Sequence, residues 1–297
     1  MHKKPIIQSP LILKMSLFIL GFLFSICGFS QYTDIINSNK PGNSTGAYSV
    51  GKRVYQIESG FSVDRLRGEA LQSESLFNNG NLAVRVGLFS EALELIYEGS
   101  YTMEFSTSPI PGGKIGIIDQ GFTSNRIGAK IMLFDPFKNP DNRPINVYSW
   151  KKNNGFRWRN IIPAVALYTG ANIGLKSSPY LIDNPSVAPR VMLVTQSHLT
   201  PKMVLILNGI YDFIGSEALA EKTVIASLSY AIKRKWSVFV EGQYSILPNF
   251  NEQIIRTGGA FLYRKNLQLD LYTGINFQNE PSREIIGLGF SYRLDKH

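Results

Sequence analysis

The segment Thr223–Tyr244, TVIASLSYAIKRKWSVFVEGQY, constrains the fold more than any other stretch of the chain. Val224, Ala226, Leu228, Tyr230 and Ile232 are apolar at every second position, and Trp236, Val238 and Val240 resume the spacing after a short basic turn. The alternate positions carry Thr223, Ser227, Ser229, Ser237, Glu241 and Gln243. Period-two alternation kept across a tight turn describes a β-hairpin with one apolar and one polar face. Centring the hairpin on Arg234 sets Ile232 against Trp236, Tyr230 against Val238 and Leu228 against Val240. The apolar face must then meet either a protein core or lipid.

The N-terminus bears on that choice. Lys3, Lys4 and Lys14 precede an apolar run from Leu17 to Phe29, which ends at Gly28-Phe29-Ser30 before Gln31. This is the pattern of an export signal over residues 1–30: a charged region, an apolar region and small residues at the cleavage site. The run is too short for the roughly 20 residues of a spanning helix. Residues 1–14 are long for a charged region, so Met1 and Met15 both stand as starts. A lipoprotein reading through Cys27 is disfavoured by Ile26, where a small residue is expected. Cleavage removes the single cysteine, excluding disulfides and thiolate metal sites. Loss of the three lysines lowers the formal charge from +9 to +6, and no basic run after the signal exceeds three residues, which argues against a nucleic-acid partner.

No uninterrupted apolar stretch of 18 residues follows, which rules out helical spans. Residues 31–50, rich in Asn, Ser and Gly, read as a flexible periplasmic lead-in to a barrel over 51–297. About twelve strands follow, with 10 and 14 as the bounds: 52–64, 81–89, 91–104, 122–134, 157–173, 189–198, 202–213, 222–232, 235–246, 253–263, 267–277 and 284–294. Short turns near Ser90, Thr200-Pro201, Lys233–Lys235 and Arg264–Asn266 alternate with longer polar loops at 65–80, 105–121, 174–188, 214–221, 247–252 and 278–283. Loop lengths that alternate by barrel end mark outer-membrane barrels. Residues 135–156 break the rule. They read as a periplasmic excursion or as hidden strands around Ile145–Trp150 and Phe156–Asn160.

The polar faces carry charges of both signs among small residues, and Glu58, Arg85, Glu94, Glu98, Lys130, Glu241, Arg256, Asp270 and Arg293 are the candidate lumen-lining set. A hairpin centred between Phe89 and Ser90 places Arg85 opposite Glu94, Val84 opposite Leu95 and Val86 opposite Leu93. If the sheet closes, Arg293 and Glu58 meet between the last strand and the first. Closure satisfies every backbone group in lipid, as an open sheet cannot. The final strand, IIGLGFSYRL, ends the chain on alternating apolar and aromatic residues, as outer-membrane barrels do. The fold read from these features is an all-β transmembrane antiparallel up-and-down barrel.

Three stretches carry a family resemblance. Pro41-Gly42 precedes Gln56-Ile57-Glu58-Ser59-Gly60-Phe61; Arg85-Val86-Gly87-Leu88 runs into Glu94-Leu95; and Gly287–Arg293 closes the chain. Together they resemble the bacterial outer-membrane barrel family labelled for the MetA pathway of phenol degradation. The resemblance implies a transporter, with small hydrophobic or aromatic solutes as cargo. The insertion at 135–156 departs from that pattern.

Little else carries chemistry, and neither catalytic residues, a cofactor nor a metal is expected. His198 is the one histidine inside the domain, and Ser197 beside it points to the opposite face of a strand, so a surface hydrolase is a minor reading. Asp183, Asp212, Glu217 and Glu221 read as solvated loop acids. Asp135, Asn139 and Asp141 do not fit a calcium loop, and Gly112-Gly113-Lys114 is a turn rather than a phosphate loop. The expected function is passive passage or uptake of small solutes through the outer membrane. The expected partners are outer-membrane lipid and the barrel-assembly machinery. The rival is a non-conducting structural or partner-binding barrel. Side chains packing the interior solid and side chains lining an open path carry equal weight.

Overall fold

The computed structural model describes residues 36–68, 72–111, 113–138, 148–149, 155–175, 178–181, 186–277 and 281–295. The export signal, the hidden strand around Ile145, Asn139, Asp141, Gly112 and Asp183 lie outside them. Twelve strands form one closed antiparallel barrel, each bonded to its sequence neighbours, with β1 closing on β12. They are β1 (Val54–Gly68), β2 (Ser73–Gly87), β3 (Leu93–Ile110), β4 (Gly113–Phe134), β5 (Ala164–Ile173) and β6 (Val187–Thr200), followed by β7 (Met203–Asp212), β8 (Glu221–Lys233), β9 (Trp236–Ile246), β10 (Asn251–Arg264), β11 (Leu267–Asn276) and β12 (Ser282–Asp295).

The two faces separate as the alternation requires. Val224 is 58% exposed, Leu271 59% and Ile286 59%, while Glu58, Arg85, Glu94, Lys130 and Glu241 on the opposite face are at or below 1%. Aliphatic residues outside and charges sealed within reverse the order of a water-soluble domain and match an outer-membrane barrel. The end where β1 starts and β12 finishes also holds the tight turns at 201–202, 234–235 and 265–266, which makes it the periplasmic end.

In the Thr223–Tyr244 hairpin, Leu228 pairs with Val240 and Tyr230 with Val238 as expected, but a bulge between Ala231 and Lys233 sets Lys233, not Ile232, against Trp236. The β2–β3 register is two residues from expectation: Val86 faces Leu95 and Arg85 faces Ile96, because residues 88–92 form a wider connection than a tight turn. Two expected loops are strand. β1 continues to Gly68 and β2 starts at Ser73, β3 reaches Ile110 and β4 starts at Gly113, so 65–80 and 105–121 are largely hairpin arms. β4 pairs with β5 only from Arg126 onward, so its first half pairs as strand with β3 alone. Gly113–Gln120 is exposed on both faces. That arm has no buried face, so no hydrophobic alternation marks it as strand. At the other end, Trp158–Ile161 is a turn of 3-10 helix, and β5 begins at Ala164 rather than at 157.

The described part of the expected lead-in lies inside the barrel. Ile36 donates to the carbonyl of Lys265 at the periplasmic rim, and Arg53 donates to that of Gly87 at the same end. Between them the chain rises into the lumen and returns. Ser44, Thr45, Ala47 and Val50 are buried. Gly51 (φ 97°) makes the exit, packed so closely on Gly87 that a Cβ on the latter would strike the Gly51 carbonyl.

Candidate functional site: a polar lumen crossed by a re-entrant segment

An irregular segment at membrane depth is tolerated only where protein satisfies its backbone. The inward side chains do this strand by strand. Glu241 on β9 accepts from the backbone N–H of Asn43 (3.0 Å) and Ser44 (3.0 Å). Asn208 on β7 receives Thr45 N–H at 2.7 Å and donates to the Thr45 carbonyl at 2.9 Å, as a neighbouring strand would. Gln196 on β6 accepts from Ala47 (3.0 Å), and Glu94 on β3 from Val50 (2.8 Å). Lys130 on β4 donates to the carbonyls of Gly46 (2.6 Å) and Tyr48 (3.2 Å). Arg85 on β2 donates to Asn37, Gln268 on β11 to Lys40, and Ser291 on β12 meets Ser38. With Glu58 on β1 accepting from Asn39, nine of the twelve strands hold the segment.

The charges balance one another across the same surface. Arg85 lies 3.1 Å from Glu58 and 3.0 Å from Glu94, and Lys130 lies 2.7 Å from Glu94. Two cations and two anions, sealed from water, leave no net charge in this cluster, and burial on this scale is tolerable only with that pairing. Beside it, Ala47 packs on a patch of small and apolar inward residues: Ala164, Ala166, Tyr168, Met192 and Val194. Ala164 and Ala166 leave the width that the segment occupies. Gly42 does the same on the segment itself, where a Cβ would collide with the Glu241 carboxylate.

All nine expected lumen residues face inward, but few face open space. Glu58, Arg85, Glu94, Lys130 and Glu241 bind the segment or one another. Arg256 donates to Gln243 (2.7 Å) and Glu241 (3.3 Å). Asp270 is buried beside Gly289, close to Gln268 and Lys40. Arg293 sits opposite Gln56 and donates to Asp295 at 2.7 Å, while Glu58 takes Arg85 as its partner. Glu98 is the most open of the set, 3.7 Å from Arg126. Sequence reasoning missed Asn208 and Gln196, whose inward phase on β7 and β6 was their only signal. It also placed Asp212 among solvated acids. Asp212 is buried, accepting from Asn172 and paired with Arg126 (3.1 Å) and Arg190.

Above the apex of the segment lies a pocket of about 280 Å³, walled by Lys40, Asn43, Glu98, Arg126, Asp212 and Gln243. It shares Asn43, Asn81 and Ser100 with an outer vestibule of about 1310 Å³, where Ser62, Asn79 and Thr102 alternate with Phe77, Tyr180 and Tyr272. The loop after β5 folds over this mouth. Ser178 donates to the Phe122 carbonyl at 2.6 Å, and Gly121 admits it, since a Cβ there would stand 2.6 Å from Ser178 Oγ. Tyr180 bonds Glu104 and the Asp119 carbonyl, and desolvation, reinforced by Glu104, pushes its phenol up to about 12.

The His198 ring contacts the Gln196 amide (3.2 Å) and stacks edge-on to Tyr48, while Ser197 points outward and donates to the Ile161 carbonyl. Among the described residues, no three His, Cys, Asp or Glu side chains converge as metal ligands.

The solved structures similar to this chain include two from Pseudomonas putida, the first of them alike in fold. The COG4313 outer membrane channel from Pseudomonas putida F1 matches with a TM-score of 0.51 at 10% identity, covering 86% of this chain and all of that one. The Pseudomonas putida toluene transporter TodX matches at 0.47 and 9% identity, covering 90% and 99%. A search of curated proteins returns no match. A family model matches residues 38–294, from the re-entrant segment through β12. With that span covering nearly all of the barrel, the chain belongs to the family described as "Putative MetA-pathway of phenol degradation".

Proposed function

We propose that this protein is an outer-membrane channel for passive passage of small solutes, closed in the present conformation by the segment 36–53. The observation that carries the reading is a solute-sized vestibule whose floor is a non-covalent plug. A barrel serving only as a structural wall has no use for an open chamber of about 1310 Å³ above such a floor. The fold places the protein in the outer membrane, and the family label makes small aromatic compounds the first cargo to test. Five of the nine inward charges, Glu58, Arg85, Glu94, Lys130 and Glu241, act as the plug's hydrogen-bonding frame, with Glu98 and Arg126 the pair exposed to passing solute. No enzymatic step is assigned.

A second reading, a non-conducting partner-binding barrel, draws support from the same plug, because bonds from nine strands seal the periplasmic half. Planar-bilayer recording and proteoliposome flux of a small uncharged phenol separate the two. Brief openings in the intact protein, lengthened when the plug is loosened by Asn208→Ala, are expected. Silence and absence of flux in both proteins would establish the sealed barrel. A phospholipase assay on the same vesicles tests the minor hydrolase reading.

A further inference from the structure

The periplasmic rim of the barrel carries outward rings on several strands, with a gap across β5, β6 and β7. Tyr55 on β1, Phe89 after β2, Trp236 on β9 and Tyr263 on β10 stand at the rim, and Trp236 stacks on Phe261 with ring centroids 4.5 Å apart. Rings at this level are the usual contact of a barrel with lipid headgroups. The outward rim positions of β5, β6 and β7 are Val165, Thr195, Ser197 and Leu205, with no ring among them. A polar Ser197 there would face the membrane.

The segment 155–163, GFRWRNIIP, covers that gap from outside. Ser197 Oγ donates to the Ile161 carbonyl at 2.9 Å, and Asn160 Nδ2 donates to the Leu199 carbonyl at 3.0 Å. Ser197 lies on the face opposite Gln196 and His198, so the segment rests on the outer wall rather than under the lumen. It presents Trp158 81% exposed and Phe156 51% exposed, their rings edge to face at 5.5 Å, and with them Ile161 and Ile162. Phe134, at the end of β4, is exposed as well. Arg157 and Arg159 interleave with the rings, and no acidic residue occurs between 155 and 163.

Exposed rings and aliphatics attached to the lipid wall, with arginines between them, have the composition of an interfacial anchor. We propose that residues 155–163 form a foot set into the periplasmic leaflet, its apolar side chains at the boundary between headgroups and acyl chains. The occupant follows from continuity. The foot is bonded to β6 at Ser197 and Leu199, and the outward residues farther along that strand, Leu193 and Val191, already face lipid. The foot makes use of the excursion that breaks the rule of short periplasmic turns. It stands independently of whether the lumen conducts.

Trp158 is the probe. In proteoliposomes, the difference between a protein with Trp150→Phe and Trp236→Phe and the same protein with Trp158→Phe isolates its emission. Heat-modified gel mobility checks that each barrel is folded. The expected result is a blue-shifted indole, quenched by phospholipids brominated near the glycerol end of the chain more than by those brominated near the methyl end, and weakly by iodide. Emission at the wavelength of free indole with strong iodide quenching would overturn the foot. A blue-shifted indole insensitive to every brominated lipid would overturn it too, by marking a protein partner.

Discussion

At the scale of single residues, the lumen is governed by the difficulty of burying charge. Arg85 is wholly enclosed between Glu58 and Glu94. Removing one partner of such a group strands the others, at a cost of about 3–5 kcal/mol. Arg85→Met should therefore lower stability by that amount, read as a shift in the urea midpoint of the refolded barrel, rather than produce a mild change of ion selectivity. Asn208→Ala removes two bonds to Thr45, which its amide holds from both sides. Buried backbone groups left unmade cost about 1–3 kcal/mol each, enough to shift the plug toward an open state without disturbing the wall, as single-channel open probability would report. That these charges point inward is legible in the sequence, because period-two alternation assigns each residue a face. Their partners are not. Asn37, Gly46, Tyr48 and Val50 contribute backbone groups, which carry no side-chain signature.

At the scale of elements, strands between Val54 and Asp295 announce themselves wherever one face meets lipid. The arms that leave the membrane do not. Gly113–Gln120 pairs as strand with β3 alone and lacks the burial that would have patterned it. Gly121 marks where the loop after β5 docks on that arm. Gly121→Val should push Ser178 and Pro179 off the mouth and raise accessibility of the vestibule, measured as faster modification of a cysteine placed at Thr102. Alkaline pH should act at the same contact. The Tyr180 phenol is raised in the folded state, so its contribution is intact below its ordinary value near 10 and is lost as pH rises toward 12. Gly42→Ala tests the plug. Its new methyl meets a Glu241 carboxylate already held by Asn43, Ser44 and Arg256, so open probability should rise.

At the scale of the whole molecule, closure of β1 on β12 turns twelve half-apolar ribbons into a wall with no free edge. Leu271, mid-strand on β11 and facing out, tests what the wall faces. Leu271→Lys should cost about 2–4 kcal/mol when unfolding is measured in lipid vesicles, whereas a water-facing position would tolerate it. The sequence by itself determined an antiparallel barrel of between 10 and 14 strands, its lipid and lumen faces, and the pairs Leu228–Val240 and Tyr230–Val238, because alternation and turn chemistry are local and act through nearest neighbours. Only the tertiary structure decided that residues 36–53 re-enter the barrel and that Glu58, Arg85, Glu94, Lys130 and Glu241 hold a segment instead of lining a clear path. Those contacts join residues as much as 253 positions apart, as between Ser38 and Ser291. A glycine- and asparagine-rich stretch gives no sign of its destination until a closed wall surrounds it.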